Sequence, residues 1–287
     1  MDAGVMAENV KCPHVTITMT AISSRFGSLP QTIKSLLGQN YPNFKVRLYL
    51  SREPFLIDNG IGDAPPSPLT AMVQSHPDRF QISVVPNIGS YRKLIPFLIE
   101  TWGQRNLVAT ADDDTFYPAD WLQRLVRSYL RLRCVIAYRG HYMQHDGHFL
   151  TPYRSWMSCR VRRNPDIFCL PTGKDGVLYD TIFFHPSVMD YQSALQIAPT
   201  ADDLWFKWHT AVGDVPVYLI NPDYRAHTFP HAGFRQSLYE AFNKGGKNDE
   251  AIEKLVAYAR NRLCFDLVEN WSGQDAATSS KVFRKLT

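Results

Sequence analysis

The sequence predicts a single α/β domain built on a parallel, doubly wound sheet. Three observations predict it. Short β-branched or apolar runs alternate with helix-like stretches through the first half of the chain, the pattern that a parallel sheet with crossover helices requires. At 287 residues, 45% of them hydrophobic, the chain is long enough to bury one sizeable core. The apolar run Leu107 to Ala111 leads directly into three aspartates and then a proline-led helix. That puts charge at a strand's carboxyl end, where open α/β sheets gather ligands.

The elements follow in order. His14 to Ala21 is β-branched and alternating, so it is a strand. Leu29 to Gly38 is a short helix, with Pro30 in its first turn and Gly38 as its stop. Phe44 to Ser51 is a second strand, and the turn-rich stretch Asn59 to Pro68 is a loop. Phe80 to Val85 is a third strand, closed by Pro86-Asn87. Tyr91 to Trp102 is helical, with Pro96 as a kink or a late start. After the strand Leu107 to Ala111, Pro118 opens a helix to about Arg133, with Leu122, Leu125, Val126, Tyr129 and Leu130 on one stripe. Val135 to Arg139 is another strand. The second half reads as irregular until Ala251 to Arg262, an amphipathic helix. No repeat or low-complexity segment interrupts the chain.

Composition narrows the class. No stretch approaches the roughly 20 apolar residues that span a bilayer, and Met1 to Asn9 lacks the basic-then-apolar run of a signal peptide. Cys12, Cys134, Cys159, Cys169 and Cys264 are odd in number and without C-x-x-C pairing, so reduced, mostly buried thiols in a cytoplasmic protein are expected. Net charge is only +4, but arginines cluster at Arg124, Arg127, Arg131 and Arg133 and again at Arg154, Arg160, Arg162 and Arg163. Solvated surface is the plain reading. Contact with phosphates, of a nucleotide or of the inner membrane surface, is the sharper one. No nucleic-acid-binding motif is present, so no nucleic-acid partner is expected.

The chemistry concentrates in Thr110 to Pro118, T-A-D-D-D-T-F-Y-P. Aspartates one residue apart on extended backbone point the same way, so Asp112 and Asp114 suit joint binding of one hard divalent cation, Mn2+ or Mg2+. Such a cation would neutralise a leaving diphosphate. A solvated acidic turn or a helix cap is the alternative. A haloacid-type phosphatase motif is excluded, because Phe116 stands where that motif needs Thr or Val and the turn lies far from the first strand.

Three segments together resemble the family 2-like glycosyltransferases of GT-A fold. Asp112-Asp113-Asp114 matches their D-x-D motif. Ser35 to Pro42, S-L-L-G-Q-N-Y-P, resembles the segment after their first helix. Thr200 to Phe206, T-A-D-D-L-W-F, resembles the acidic pair that leads into their acceptor-side helix. The match spans roughly the first three-quarters of the chain. The resemblance implies a GT-A (Rossmann-like) domain over 13–246, after an N-terminal extension 1–12 and before a C-terminal helix and tail 247–287. The nucleotide-binding half covers about 13–118 and the acceptor half about 119–246. It further implies that Asp112 and Asp114 hold the metal on a nucleoside diphosphate-sugar, with Asp113 on the ribose or sugar. Asp203, or less favourably Asp202, is the implied base, and His227, with His231 in reserve, completes the metal shell. The family's D-D-G-S at the second strand's end is replaced by Leu50-Ser51-Arg52-Glu53-Pro54, which leaves the base of the donor open; Glu53 and Asp58 are the available substitutes.

The remaining candidates are weaker alone. A carboxylate at the start of a rigid helix can take a hydroxyl proton, although Asp202 and Asp203 equally suit helix capping. Gly173 to Tyr179, G-K-D-G-V-L-Y, allows close backbone approach to a ligand, with Gly176 as the candidate contact. It resembles a family G-x-G-G-x-L-Y stretch, from which Lys174 and Asp175 depart. Arg25, Arg92 and Lys93 could meet the nucleotide. Trp156, Trp205 and Trp208 suit either a sugar-stacking wall or the core. Phe229 to Arg235 reads as a loop able to close over the donor.

The expected activity is therefore inverting transfer of a sugar to a glycan or lipid-linked glycan hydroxyl. One rival is a nucleotidyltransferase or other phosphoryl enzyme, which would want a glycine-rich loop where Ala21 to Gly27 stands. The other is a non-catalytic nucleotide-sugar-binding scaffold.

Overall fold

The computed structural model describes residues 12–223, 228–231 and 245–271. Four parallel strands form first: β1 (Val15–Thr20), β2 (Phe44–Leu50), β3 (Phe80–Val84) and β4 (Leu107–Ala111). They pair in the order 3-2-1-4, with Ile17 beside Val46 on one side and Ala109 on the other. Helices α1 (Leu29–Leu37), α2 (Ser67–Ser75) and α3 (Ile95–Thr101) connect them. The chain winds outward from β1 to β3, then returns to lay β4 on the far side of β1. The topological switch point therefore lies between the carboxyl ends of β1 and β4.

Local chemistry explains most boundaries. Val15, Ile17 and Met19 are fully buried and Thr18 shares that burial, as expected for a strand covered on both faces. α1 and α2 both carry proline in the first turn, where the missing N–H costs nothing. That places a helix from Ser67 inside and beyond the stretch expected to be loop. Pro96 marks a late start: a 3-10 turn covers Gly89–Lys93 and α3 begins at Ile95.

The second half is more ordered than the sequence suggests. After α4 (Trp121–Leu132) come β5 (Val135–Ala137), β6 (Gly140–Tyr142), α5 (Tyr153–Ser158), β7 (Cys169–Pro171) and β8 (Val177–Asp180). Then follow α6 (Tyr191–Ile197), α7 (Asp202–Ala211), β9 (Val217–Leu219), α8 (Lys247–Tyr258) and α9 (Leu267–Trp271). β8 inserts antiparallel between β4 and β5, and β9 pairs parallel to β5, completing a seven-stranded, mostly parallel sheet in the order 3-2-1-4-8-5-9. β6 and β7 form a separate antiparallel pair. The α8 helix begins four residues before the expected Ala251, at a left-handed Gly246. Among the described residues, no helix is long and apolar enough to cross a membrane.

Trp156, Trp205 and Trp208 are core residues, almost wholly buried. Of the two alternatives the core applies: none of the three lines the cleft described below. Trp121, also buried, donates from Nε1 to the Asp175 carbonyl at 2.8 Å. Its ring lies 2.5 Å from where a Cβ on Gly176 would sit, and Gly176 has φ +97°. Gly176 is thus required by the fold on two counts, and it lies outside the cleft lining.

One core residue opposes folding. Lys207 on α7 is fully buried, and its Nζ has no hydrogen-bond partner. Burial pushes its ammonium pKa down to about 8, against the opposing pull of Cys169, Asp166 and Cys134. The unfolded chain binds this proton more tightly than the folded one. The group therefore costs stability, on the order of 3 kcal/mol, below pH 8, and the cost disappears as pH rises toward 10.5. Lys207→Met is expected to raise the unfolding free energy by roughly 1–3 kcal/mol at pH 7. In chemical denaturation at stepped pH, its advantage should close between pH 8 and 10.5; a constant gap would show that packing and not charge is responsible.

Candidate active site

The carboxyl ends of β1 to β4 open on one cleft of about 460 Å3, bounded on its far side by the Thr172–Lys174 turn, the start of α7 and α5. The switch point is bridged by charge. Arg25, in the 3-10 turn after β1, pairs with Asp113 and lies 3.2 Å from Asp114 Oδ2. Asp113 is the most buried of the three aspartates. Its carboxylate also accepts from Ile22 N at 3.2 Å, and its carbonyl accepts from Thr32 Oγ1 at 3.2 Å. Burial pushes its pKa up to about 6 despite Arg25, with Asp114 and Asp112 adding to the rise. Asp113 therefore ties the acidic turn to β1 and α1.

Asp112 and Asp114 flank it with side chains about a quarter exposed, 24% and 26%. Tyr117 Oη accepts from Asp112 N at 2.8 Å and so fixes the turn. Directly after Asp114, Thr115 forms a bridge with His231, and Phe116 N donates to the Pro230 carbonyl at 2.8 Å. The backbone of His231 therefore lies against the acidic turn. His227, the implied metal ligand, lies outside the described residues, as does the loop from 232 to 235.

Lys93 occupies the centre of the cleft. Its Nζ lies 3.1 Å from Asp112 Oδ1 and 3.4 Å from Asp202 Oδ2. Burial alone would lower the pKa of this ammonium, but Asp112, Asp202 and Asp203 together hold it well above its usual range. Asp112 is shifted the opposite way. Burial disfavours its charge, yet the lysine more than offsets this and keeps the carboxyl below its ordinary value. Asp202 and Asp203 occupy the first turn of α7, but neither caps it: the cap is Ala201, with no side-chain bond. Asp203 Oδ2 instead accepts from Gly173 N at 2.9 Å. Burial, followed by the neighbouring charge of Asp202, pushes the Asp203 pKa up to about 7.

The structure thus brings Arg25, Lys93, Asp112, Asp113, Asp114, Asp202 and Asp203 into one cleft. Of the two substitutes for the missing base-reading aspartate, Glu53 is exposed and outside the lining, whereas Asp58 lines the cleft and is buried. Asp58 forms an ion pair at 2.7 Å with the fully buried Arg92 and also accepts from Ser23 N and Gly60 N. Sequence reasoning missed His141, Tyr153 and Asn248 on the opposite wall. They come from three separate segments, and no local motif marks them.

A divalent cation fits the donor set. Six aspartates line the cleft with five lysine and arginine side chains, so a small excess of carboxylate remains. The ion pairs engage one oxygen each of Asp112 and Asp114. Among the described residues, no cluster of three or more His, Cys, Asp or Glu could hold a metal. Mg2+ and similar hard ions need only one or two carboxylates when substrate phosphates and water complete the shell.

No family model and no curated protein sequence matches the chain. Among solved structures, it is similar to the mannosyltransferase PcManGT from Pyrobaculum calidifontis, solved with GDP-Man and Mn2+. That match has 13% identity and a TM-score of 0.51, and covers 96% of this chain and 80% of that one. S. aureus TarS, residues 1–349 with UDP-GlcNAc, matches at 13% identity and TM-score 0.47 over 90% of this chain and 77% of that one. A 4-diphosphocytidyl-2C-methyl-D-erythritol synthase from Anaerococcus prevotii matches at 13% identity and TM-score 0.46 over 72% and 88%. Strand order, sheet direction and the PcManGT likeness agree on a GT-A-like α/β fold.

Proposed function

We propose that this protein transfers a sugar from a nucleoside diphosphate-sugar to a hydroxyl of a glycan or lipid-linked glycan. One observation carries the reading. An acidic turn at the switch point and a second aspartate pair on α7 face one cleft, joined by a single lysine. The first group suits a donor diphosphate and the second an acceptor proton.

On this reading Asp112 and Asp114 hold Mn2+ or Mg2+, which when bound offsets the charge of the diphosphate. Lys93 and Arg25 add fixed positive charge beside it, and Arg25 orients the turn through Asp113. Asp58, after β2, and Arg92, after β3, line the same cleft and are assigned to the nucleoside. Asp203 takes the acceptor proton as the acceptor oxygen bonds to the anomeric carbon and the nucleoside diphosphate departs. A single displacement of that kind inverts the anomeric centre. A base whose pKa lies near the working pH is effective because it is largely deprotonated yet still proton-accepting, and Asp203 at about 7 meets that condition. The Gly173 N–H fixes one of its oxygens.

Two expected outcomes test this. In a thermal-shift screen with Mn2+, the cognate nucleoside diphosphate-sugar should raise the melting temperature by about 5 °C near saturation. The shift should vanish without metal and in Asp112→Ala or Asp114→Ala. A full shift in chelator would remove the metal assignment, and no shift with any nucleotide would sink the donor assignment. Asp203→Asn should retain the donor shift while lowering kcat by roughly 10²–10⁴. Wild-type kcat/KM should climb as pH passes about 7, where Asp203 loses its proton, and that limb should be absent from the residual activity of the variant. A fully active Asp203→Asn protein would rule out this base. Release of pyrophosphate without sugar transfer would instead indicate a nucleotidyltransferase.

A further inference from the structure

The acceptor-side wall of the cleft continues into a surface that the transferase reading does not use. His145 and Leu150 bridge to close a tight turn. Within it, Asp146 Oδ1 accepts from His148 N at 2.8 Å and Phe149 N at 2.7 Å, and Asp146 N donates to the Phe149 carbonyl at 3.0 Å. These bonds hold Phe149 at the tip with 64% of its surface exposed, more than any other large hydrophobic residue described. Covering that ring on an apolar or interfacial surface would remove it from water and is favourable.

The chain that follows is basic. Residues 147–165 contain four arginines and no acid. Arg154, Arg160, Arg162 and Arg163 are all exposed, and none pairs with a carboxylate among the described residues. Three of them fall within four positions and repel one another, with Asp166 as a partial counter-charge to Arg163. In the other arginine cluster, on α4, Arg124 alone is paired with a carboxylate among the described residues, Asp120 at 2.6 Å. The turn and the basic segment form one unit. Thr151 N donates to the Gln144 carbonyl at 2.8 Å, and Thr151 Oγ1 meets Ser155 Oγ at 2.7 Å. Tyr153 N is held by Asp249 Oδ1 of α8 at 2.7 Å. Tyr153 and Met157, on α5 in the same unit, line the cleft.

We propose that this rim, residues 145–165, docks on an anionic lipid bilayer. Phe149 sits at the headgroup boundary, and Arg154, Arg160, Arg162 and Arg163 lie on lipid phosphates. An interfacial anchor combines an exposed aromatic residue with basic side chains, and both are present here on one hydrogen-bonded segment. A soluble polyanion would engage the arginines but leave Phe149 in water. Docking through this rim sets the acceptor wall of the cleft against the membrane, so the acceptor is drawn from the lipid surface. That last step rests on the transferase reading; the docking itself needs neither donor nor transfer.

The test is sedimentation of the full chain with vesicles, with binding to soluble heparin measured in parallel. Binding to phosphatidylglycerol-containing vesicles is expected, falling with salt, and binding to pure phosphatidylcholine should be negligible. Each arginine near an anionic surface is worth about fivefold in partitioning, so Arg160→Ala/Arg162→Ala/Arg163→Ala together should lose on the order of a hundredfold. Phe149→Ser should lose about tenfold on vesicles and nothing on heparin. Melting temperatures equal to wild type would show that these surface variants remain folded. Absence of binding to anionic vesicles would overturn the proposal. So would a Phe149→Ser protein that binds vesicles as wild type does, because the surface would then be a polyanion site. Vesicle binding without donor-induced stabilisation would uphold the docking and reject the transferase reading, which keeps the two failures distinct.

Discussion

The site depends on one ammonium group. Lys93 leaves the sheet after β3, and its Nζ lies between Asp112 after β4 and Asp202 at the start of α7. Without that charge, three carboxylates from two separate parts of the chain would face each other in a partly dry cleft, and each would resist ionising. With it, the acidic turn and the first turn of α7 share one counter-ion. A buried charge of this kind is costly unless paired. Here the pairing is multiple, and the lysine stays protonated well beyond its usual range. Arg25 performs the parallel task across the switch point, where it ties the end of β1 to Asp113 and Asp114. The acidic turn is thus held from both sides by cations of the chain itself, while its negative charge is only partly neutralised.

That partial neutralisation separates the aspartates chemically. Asp112 is in contact with the lysine and is held ionised. Asp203 does not share that contact; burial and Asp202 raise it to about 7. Identical side chains in one cleft are therefore pushed in opposite directions, the usual route by which one site acquires both a fixed anion and a proton acceptor. Asp113 takes a third role. Buried beneath Arg25 and bonded to Ile22 N and the Thr32 hydroxyl, it secures the turn.

How much of this was legible in the sequence follows from how local each determinant is. β1 to β4 are runs of five to seven residues with their own β-branched or apolar pattern, so their limits could be read to within a residue or two. Asp112 to Asp114 stood out because three like charges at the end of an apolar run are unusual in any local reading. β6, β7 and β9 are only three residues long, too short to carry a pattern. They exist because partners remote in sequence supply the other half of each ladder, as Val135 does for Val217. The antiparallel direction of β8 is likewise set by its neighbours and not by its own residues. The tryptophans show the same limit: size and aromaticity suit a core and a sugar face equally, and only the packing around Trp156, Trp205 and Trp208 decides for the core. Arg25, Lys93 and the aspartates could be nominated one by one, but the ion pairs that join them connect segments far apart in the chain.

Gly173 shows how closely the charged groups of the cleft are packed. A Cβ there would sit 3.0 Å from Asp203 Oδ1 and 3.0 Å from Lys93 Nζ. The missing side chain lets three things meet: a backbone N–H, the carboxylate it binds, and the lysine that serves the other acids. A larger residue there would shift the carboxylate or the ammonium by a few tenths of an ångström, straining the bond from Gly173 N to Asp203 and the pairing of Lys93 with Asp112 and Asp202. The glycine's role is therefore electrostatic as well as steric: it sets how closely Asp203 and the acidic turn approach a single shared lysine.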